Sequence, residues 1–202
     1  TNKNILEPQH LLELLSKYSN EFSIPKWDLG ASSSNDLSVQ VQQGEPKQLK
    51  ASQRNSITLR VWDNENKVGI TSTSDLTNEG IKKAIRGAIE ASKFGNKDES
   101  PEFSSLAKYP LTEIRNNISK EHGINDLLSI LQKAEQQLIE SHESIDSVPY
   151  NGLSESYMER LYINSDGATR YMELSQASLY LYAKSQEENK KPRSSGTVKI
   201  NN

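Results

Sequence analysis

Cysteine is absent from the 202 residues, which removes disulfide bridges, thiolate zinc ligands and thiol nucleophiles from the chain. That absence suits a reducing compartment, and a cytoplasmic location is expected. Histidine is scarce: His10, His122 and His142 stand 112 and 20 residues apart. Zinc enzymes commonly set two histidines one helical turn apart so that both nitrogens reach one ion, and no His-Glu-x-x-His occurs here. No apolar run approaches the roughly 20 residues that a membrane helix needs. No charged-then-apolar leader stands before a cleavage site in these residues. An excess of one charge is missing too. The net charge is −3, from 24 basic and 27 acidic residues, and over the first hundred residues the two signs are equal in number. Neither half is basic enough to hold nucleic acid through its phosphates.

What is present is a folded chain with a thin core, 33% hydrophobic overall. Pro8 suits a first helical turn, and Leu11, Leu15, Tyr18 and Phe22 follow at helical spacing, with Leu12 and Leu14 widening the stripe. Pro25 ends that helix. Leu37, Val39 and Val41 then alternate with polar residues, the period of a half-buried strand. Gln43-Gly44-Glu45-Pro46 turns the chain, and a polar strand is expected from Lys47 to Gln53. Ile57, Leu59 and Val61 alternate in turn, Asp63-Asn64-Glu65-Asn66 makes another turn, and Val68 and Ile70 resume the pattern. Alternating strands joined by short polar turns predict an antiparallel meander with one wet face.

Thr77 is a predicted N-cap for a second helix whose inward face is Ile81, Ala84, Ile85, Ala88 and Ser92, with Gly95 as its C-cap signal. Asn125 is a predicted cap for a third, carrying Leu127, Leu128, Leu131, Ala134 and Leu138. Strands are expected over 157–163 and 168–184, joined at Asn164-Ser165-Asp166-Gly167. The order predicts an α+β fold, with helices packed on an antiparallel or mixed sheet. Two α+β subdomains are expected: residues 1–96, a linker at 97–110, and 111–202. The last residues, Gly196 to Asn202, have the look of a strand cut off in progress, as in a fragment.

Candidates for chemistry are few. His142 falls at the polar end of a helix, where a cation complements the C-terminal dipole. His122, beside Glu121, is expected on a surface loop. Gly152-Leu153-Ser154-Glu155-Ser156 resembles a nucleophile elbow but lacks the closing glycine and the helix that should follow, so a loop is expected. Lys190-Lys191-Pro192-Arg193 lacks phosphate-loop glycines and is expected to be a solvated turn, with contact to an acidic partner as the alternative. Glu187-Glu188 lies in a polar run, without the burial that drives two carboxyl pKa values apart. No catalytic residue and no metal ligand is assigned, and the substrate-binding residues are unknown. Six of the eight tyrosines lie between Tyr150 and Tyr182, and Tyr180 and Tyr182 share a strand face. Packing accounts for them by default. The sharper expectation is that this face meets a partner subunit or an extended peptide.

Several segments in order carry a resemblance. Leu37-Ser38-Val39-Gln40-Val41 precedes Gly44-Glu45; Ile57-Thr58-Leu59-Arg60-Val61 follows; then Val68-Gly69-Ile70-Thr71-Ser72-Thr73-Ser74-Asp75-Leu76-Thr77 enters a helix; and Tyr162-Ile163-Asn164-Ser165-Asp166-Gly167 comes later. The string resembles the N-terminal part of the TldD/PmbA family, whose members have been called modulators of DNA gyrase and are associated with peptide proteolysis. The serine- and threonine-rich run at 72–77 leans towards the PmbA type. The resemblance implies a scaffold and assembly region of a zinc metalloprotease subunit acting on small or unfolded peptides. Zinc is implied only for residues beyond this chain or for the partner, because the family's His-Glu-x-x-x-His helix is not here. It also implies a TldD-like sister subunit and a peptide substrate. The alternative is a non-enzymatic protein-binding regulator, for example of DNA gyrase.

Overall fold

The computed structural model describes residues 6–98, 102–104, 114–115, 122–186 and 197–201. In chain order the elements are α1 (Pro8–Glu21), β1 (Lys26–Gln42), β2 (Glu45–Trp62), β3 (Val68–Thr73), α2 (Asn78–Ser92), β4 (Ile114–Arg115), α3 (Ile124–Glu140), β5 (Ile145–Asn164), β6 (Thr169–Ser185) and β7 (Thr197–Asn201). The fold is α+β. Strands pair in the order β3-β2-β1-β5-β6-β4, and β7 pairs with β6. The β2–β3 pairing is antiparallel, with Leu59 opposite Thr71 and Val61 opposite Gly69. The β4–β6 pairing is parallel, so the sheet is mixed.

Contacts group the chain into two compact units that interleave along the sequence. One unit comprises residues 1–34, 54–115 and 158–173; the other comprises 35–53, 116–157 and 174–202. This interleaving arises because β1, β2, β5 and β6 are each long enough to contribute to both. The linker expected at 97–110 lies largely outside the described residues.

In the first unit, one face of the sheet carries Trp27, Leu29, Ala31, Ile57, Leu59, Val61, Leu161 and Ile163. These pack with Leu11, Leu14, Leu15 and Tyr18 of α1 and with Ile81, Ile85 and Ala88 of α2. Each fully buried leucine or isoleucine contributes about 1.5–3 kcal/mol. Pro8 stands in the first turn of α1 as expected. Thr77 caps α2, its hydroxyl accepting the Gly80 N–H at 3.1 Å. Gly95 is not a left-handed C-cap: the left-handed glycines among the described residues are Gly44 and Gly167. Its need is for space, because a Cβ there would stand 2.0 Å from the Val68 carbonyl oxygen.

In the second unit, Val39, Val41 and Leu153 pack with Leu127 and Leu131 of α3. Asn125 does not cap α3. The cap is Gly123, whose N–H donates to the Asp126 carboxylate at 3.0 Å. The apolar stripe of α3 is interrupted by Glu135, which is buried because its Oε1 accepts the Gly44 N–H at 2.7 Å. Gln43 and Gly44, both with positive φ, form a two-residue hairpin turn, the type whose twist matches its flanking strands.

Several strands run longer than the alternation suggests. β1 begins at Lys26 and β5 at Ile145, so Gly152–Ser156 is strand, not loop. Backbone pairing along those stretches needs no apolar alternation once a neighbouring strand is present. Among the described residues no helix is long and apolar enough to cross a membrane, a statement that does not extend to strands.

Candidate binding faces

On the first unit's sheet, the side chains that alternate with the buried row point away from α1 and α2. Asp28, only 2% exposed, is the fixed point of this face. Its Oδ1 accepts from Arg60 Nε at 2.8 Å, and its Oδ2 accepts from the same guanidinium and from the Tyr162 hydroxyl at 3.1 Å. The fork of Arg60 matches the carboxylate bidentately, which fixes its plane. That bond to Asp28 raises the Arg60 pKa, and burial raises that of Tyr162, so the phenol stays a donor. Farther along, Lys26 Nζ lies 4.3 Å from the ring centre of Trp62 and 4.5 Å from that of Phe103.

Beside this cluster is a groove of about 490 Å³ with a floor of Gly30, Ser32, Ser56 and Thr58. Arg160, Tyr162, Arg170 and Met172 border it. Among the described residues, none that lines it is acidic.

The opposite row of β5 and β6 holds a buried polar group of another kind. The Tyr171 hydroxyl lies 2.5 Å from Glu159 Oε1 and 3.0 Å from Glu173 Oε1. Burial, then the Glu159 contact, pushes the Tyr171 pKa well above the ordinary phenol range. Glu159 is 0% exposed and Glu173 7%. Both are closed to solvent.

The second unit carries the aromatic face. Tyr180 and Tyr182 have ring centres 6.1 Å apart. Leu179 and Leu181, which alternate with them, pack on the α3 cluster. The Tyr180 hydroxyl accepts from Gln40 Nε2 at 3.1 Å, and its ring lies across Gly152, where a Cβ would meet it at 2.4 Å. Tyr150, 68% exposed, adds to the aromatic surface of β5.

The three histidines are not brought together. His10 Nε2 donates to Asn78 Oδ1 at 3.1 Å, and His122 Nδ1 meets Glu155 Oε1 at 2.5 Å. His122 is therefore half-buried and paired rather than a free surface group. His142 Nδ1 accepts the Ser144 N–H at 3.0 Å. His142 lies just past the C-terminal end of α3, the place expected for it. Among the described residues no three His, Asp or Glu side chains are placed to hold one metal ion. These residues do not fit a zinc site. Gly152–Ser156, inside β5, has no strand–turn–helix geometry for an elbow. Glu187-Glu188 and Lys190–Arg193 lie outside the described residues.

The Asp28–Arg60–Tyr162 cluster and the Glu159–Tyr171–Glu173 group were missed by sequence reasoning. Trp27, Leu29 and Ala31 alternate around Asp28, and that period was the available signal for the first. Nothing local marks the second, since the acids read as the wet face of a strand.

Comparison with known proteins adds a family. Residues 27–92 match the model of PmbA/TldA metallopeptidase domain 1, and residues 117–199 that of the PmbA/TldA metallopeptidase central domain. No curated protein matches the chain. Among solved structures, TldE from Thermococcus kodakarensis is similar at 20% identity, with a TM-score of 0.65 over 94% of this chain. A candidate modulator of a DNA gyrase from Thermotoga maritima is similar at 14% identity and TM-score 0.62 over 93%. Another, from Bacteroides thetaiotaomicron, stands at 15% and 0.66 over 97%. At such identities the likeness establishes fold alone. The chain spans only 41%, 42% and 44% of those three chains. With two consecutive domain models matched in order over most of its length, the chain belongs to the PmbA/TldD family and carries that family's first and central domains.

Proposed function

We propose that these residues are the scaffold and assembly region of a TldD/PmbA-type metalloprotease subunit that handles small or unfolded peptides. The observation that carries this reading is the ordered match to the first and central metallopeptidase domains, in a chain about two-fifths as long as TldE. Support comes from the faces described above. They offer an aromatic surface and a groove, both suited to holding a partner or an extended peptide. Hydrolytic chemistry, and the zinc the family name implies, is assigned to residues outside these 202. The 97–110 stretch serves as the connector between the two family domains, and the setting is a reducing cytoplasm. The 72–77 run favours the PmbA type, with a TldD-like chain as partner.

The test is reconstitution. The natural full-length chain, mixed with a TldD-like sister subunit, should form a complex and give chelator-sensitive cleavage of unfolded peptides. Absence of both the complex and the cleavage removes this reading. A second reading, a non-enzymatic regulator of DNA gyrase, draws on the names of two similar structures. A pull-down recovering gyrase and no sister subunit would favour it.

A further inference from the structure

We propose that the groove on the first unit's helix-free face binds the terminal carboxylate of a short extended peptide. The inference rests on the peptide-handling reading and deepens it by assigning the end of the peptide that is recognised and the residues that do it.

Three observations converge. First, the groove's volume of about 490 Å³ is that of a ligand site, and its surface is mostly apolar with a few polar groups, the usual make-up of such sites. Second, its charge is one-sided: Arg160 and Arg170 line it, and among the described residues no acidic one does. Asp28, which accepts from the lining residue Tyr162, is already engaged by Arg60, so it does not neutralise the border. Third, Arg160 is exposed and among the described residues makes no hydrogen bond or ion pair, whereas Arg170 donates to the Thr169 carbonyl at 3.4 Å and makes a further contact. One guanidinium is therefore held in place and the other is free to close on an anion.

The chemistry selects a carboxylate. A planar fork of donors pairs bidentately with the two oxygens of a carboxylate, and the single exposed guanidinium of Arg160 matches its single charge. The floor favours a peptide's end over a bulky side chain. Gly30 leaves the groove open above it, with nothing within 4 Å of where a Cβ would stand, and Ser32, Ser56 and Thr58 supply small hydroxyls for main-chain groups.

The experiment uses the natural full-length chain and a fluorescent alanine-rich hexapeptide, made once with a free C-terminus and once as the amide. Binding is read by anisotropy. The free acid should bind at least about tenfold more tightly than the amide, the difference expected for one charge-assisted contact. Arg160→Ala should bring the acid down to the level of the amide, and Arg160→Lys should recover part of the loss. Equal affinity for acid and amide, no binding of either, or an acid preference that survives Arg160→Ala overturns the proposal. Peptide cleavage with the sister subunit is measured separately. Cleavage without acid preference sinks this site and leaves the proposed function standing. Acid-selective binding without cleavage does the reverse.

Discussion

Gly69 of β3 and Ala88 of α2 approach so closely that a Cβ on Gly69 would stand 1.8 Å from the Ala88 carbonyl oxygen. The second-nearest atom is also backbone, the Ser92 nitrogen at 2.5 Å. No side-chain rotation relieves such a contact, so Gly69→Ala must lift the helix from the strand. It should cost about 3 kcal/mol, at the upper end for overpacking. A urea titration should show a lower midpoint at unchanged slope. Gly30→Ala, with open space above it, is the control and should be neutral or slightly stabilising.

The buried carboxyl pair gives a second expectation. Tyr171 donates towards both Glu159 and Glu173, and Tyr171→Phe leaves them without that donor. A loss of about 1–3 kcal/mol is expected, larger than for Tyr180→Phe, whose hydroxyl is only partly buried. Thermal unfolding of the two variants side by side checks the ranking.

Alkaline stability follows from the same groups. Tyr162 and Tyr171 both have raised pKa values in the folded chain, chiefly through burial. The folded state therefore holds these protons more tightly than the unfolded state does. Their contribution is complete below the unfolded phenol value of about 10 and is lost as pH rises above it. Unfolding free energy should decline from about pH 10 upward. The decline should be shallower in Tyr171→Phe. An equal slope in that variant would remove Tyr171 ionisation as a cause.

How far the sequence disclosed this molecule depends on which interactions set each element. The rows Leu37–Val41 and Ile57–Val61 face a helix, so burial wrote its period into them, and the capping of α2 by Thr77 is equally local. The middle of β1, Ser32–Asp36, and the first half of β5 are strand held by their neighbours, and their polar residues hide the period. Glu135 is instructive in the same way. It breaks the apolar stripe of α3 because a backbone N–H 91 residues away needs an acceptor. The candidate faces were legible only where like residues cluster in sequence, as with Tyr180 and Tyr182. Asp28, Arg60 and Tyr162 come from three strands, and pairing order alone brings them together.

Glu135 also makes a prediction. Glu135→Leu should restore the stripe yet strand the Gly44 N–H, and Gln132, which donates to the Gly44 carbonyl at 2.8 Å, would hold the turn alone. A net loss of about 1 kcal/mol is expected. Amide exchange at Gly44 should quicken while exchange at Leu131 changes little. Glu135→Gln keeps an acceptor and should preserve the slow exchange.

The aromatic face tests the assembly role directly. Tyr180 and Tyr182 turn outward from the row whose leucines cover α3, so replacing both with serine removes surface without opening the core. Stability should fall by at least about 0.5–1.5 kcal/mol, the worth of an aromatic pair contact, since the half-buried Tyr180 ring also covers Gly152. If this face receives the sister subunit, the same pair of changes should weaken association at least about tenfold, since rigid aromatic side chains dominate interface energies. The change should appear mainly as faster dissociation. Sedimentation of the natural full-length chain with its partner measures the first effect, and surface-captured dissociation the second. A complex as tight as before would move the interface elsewhere on the chain.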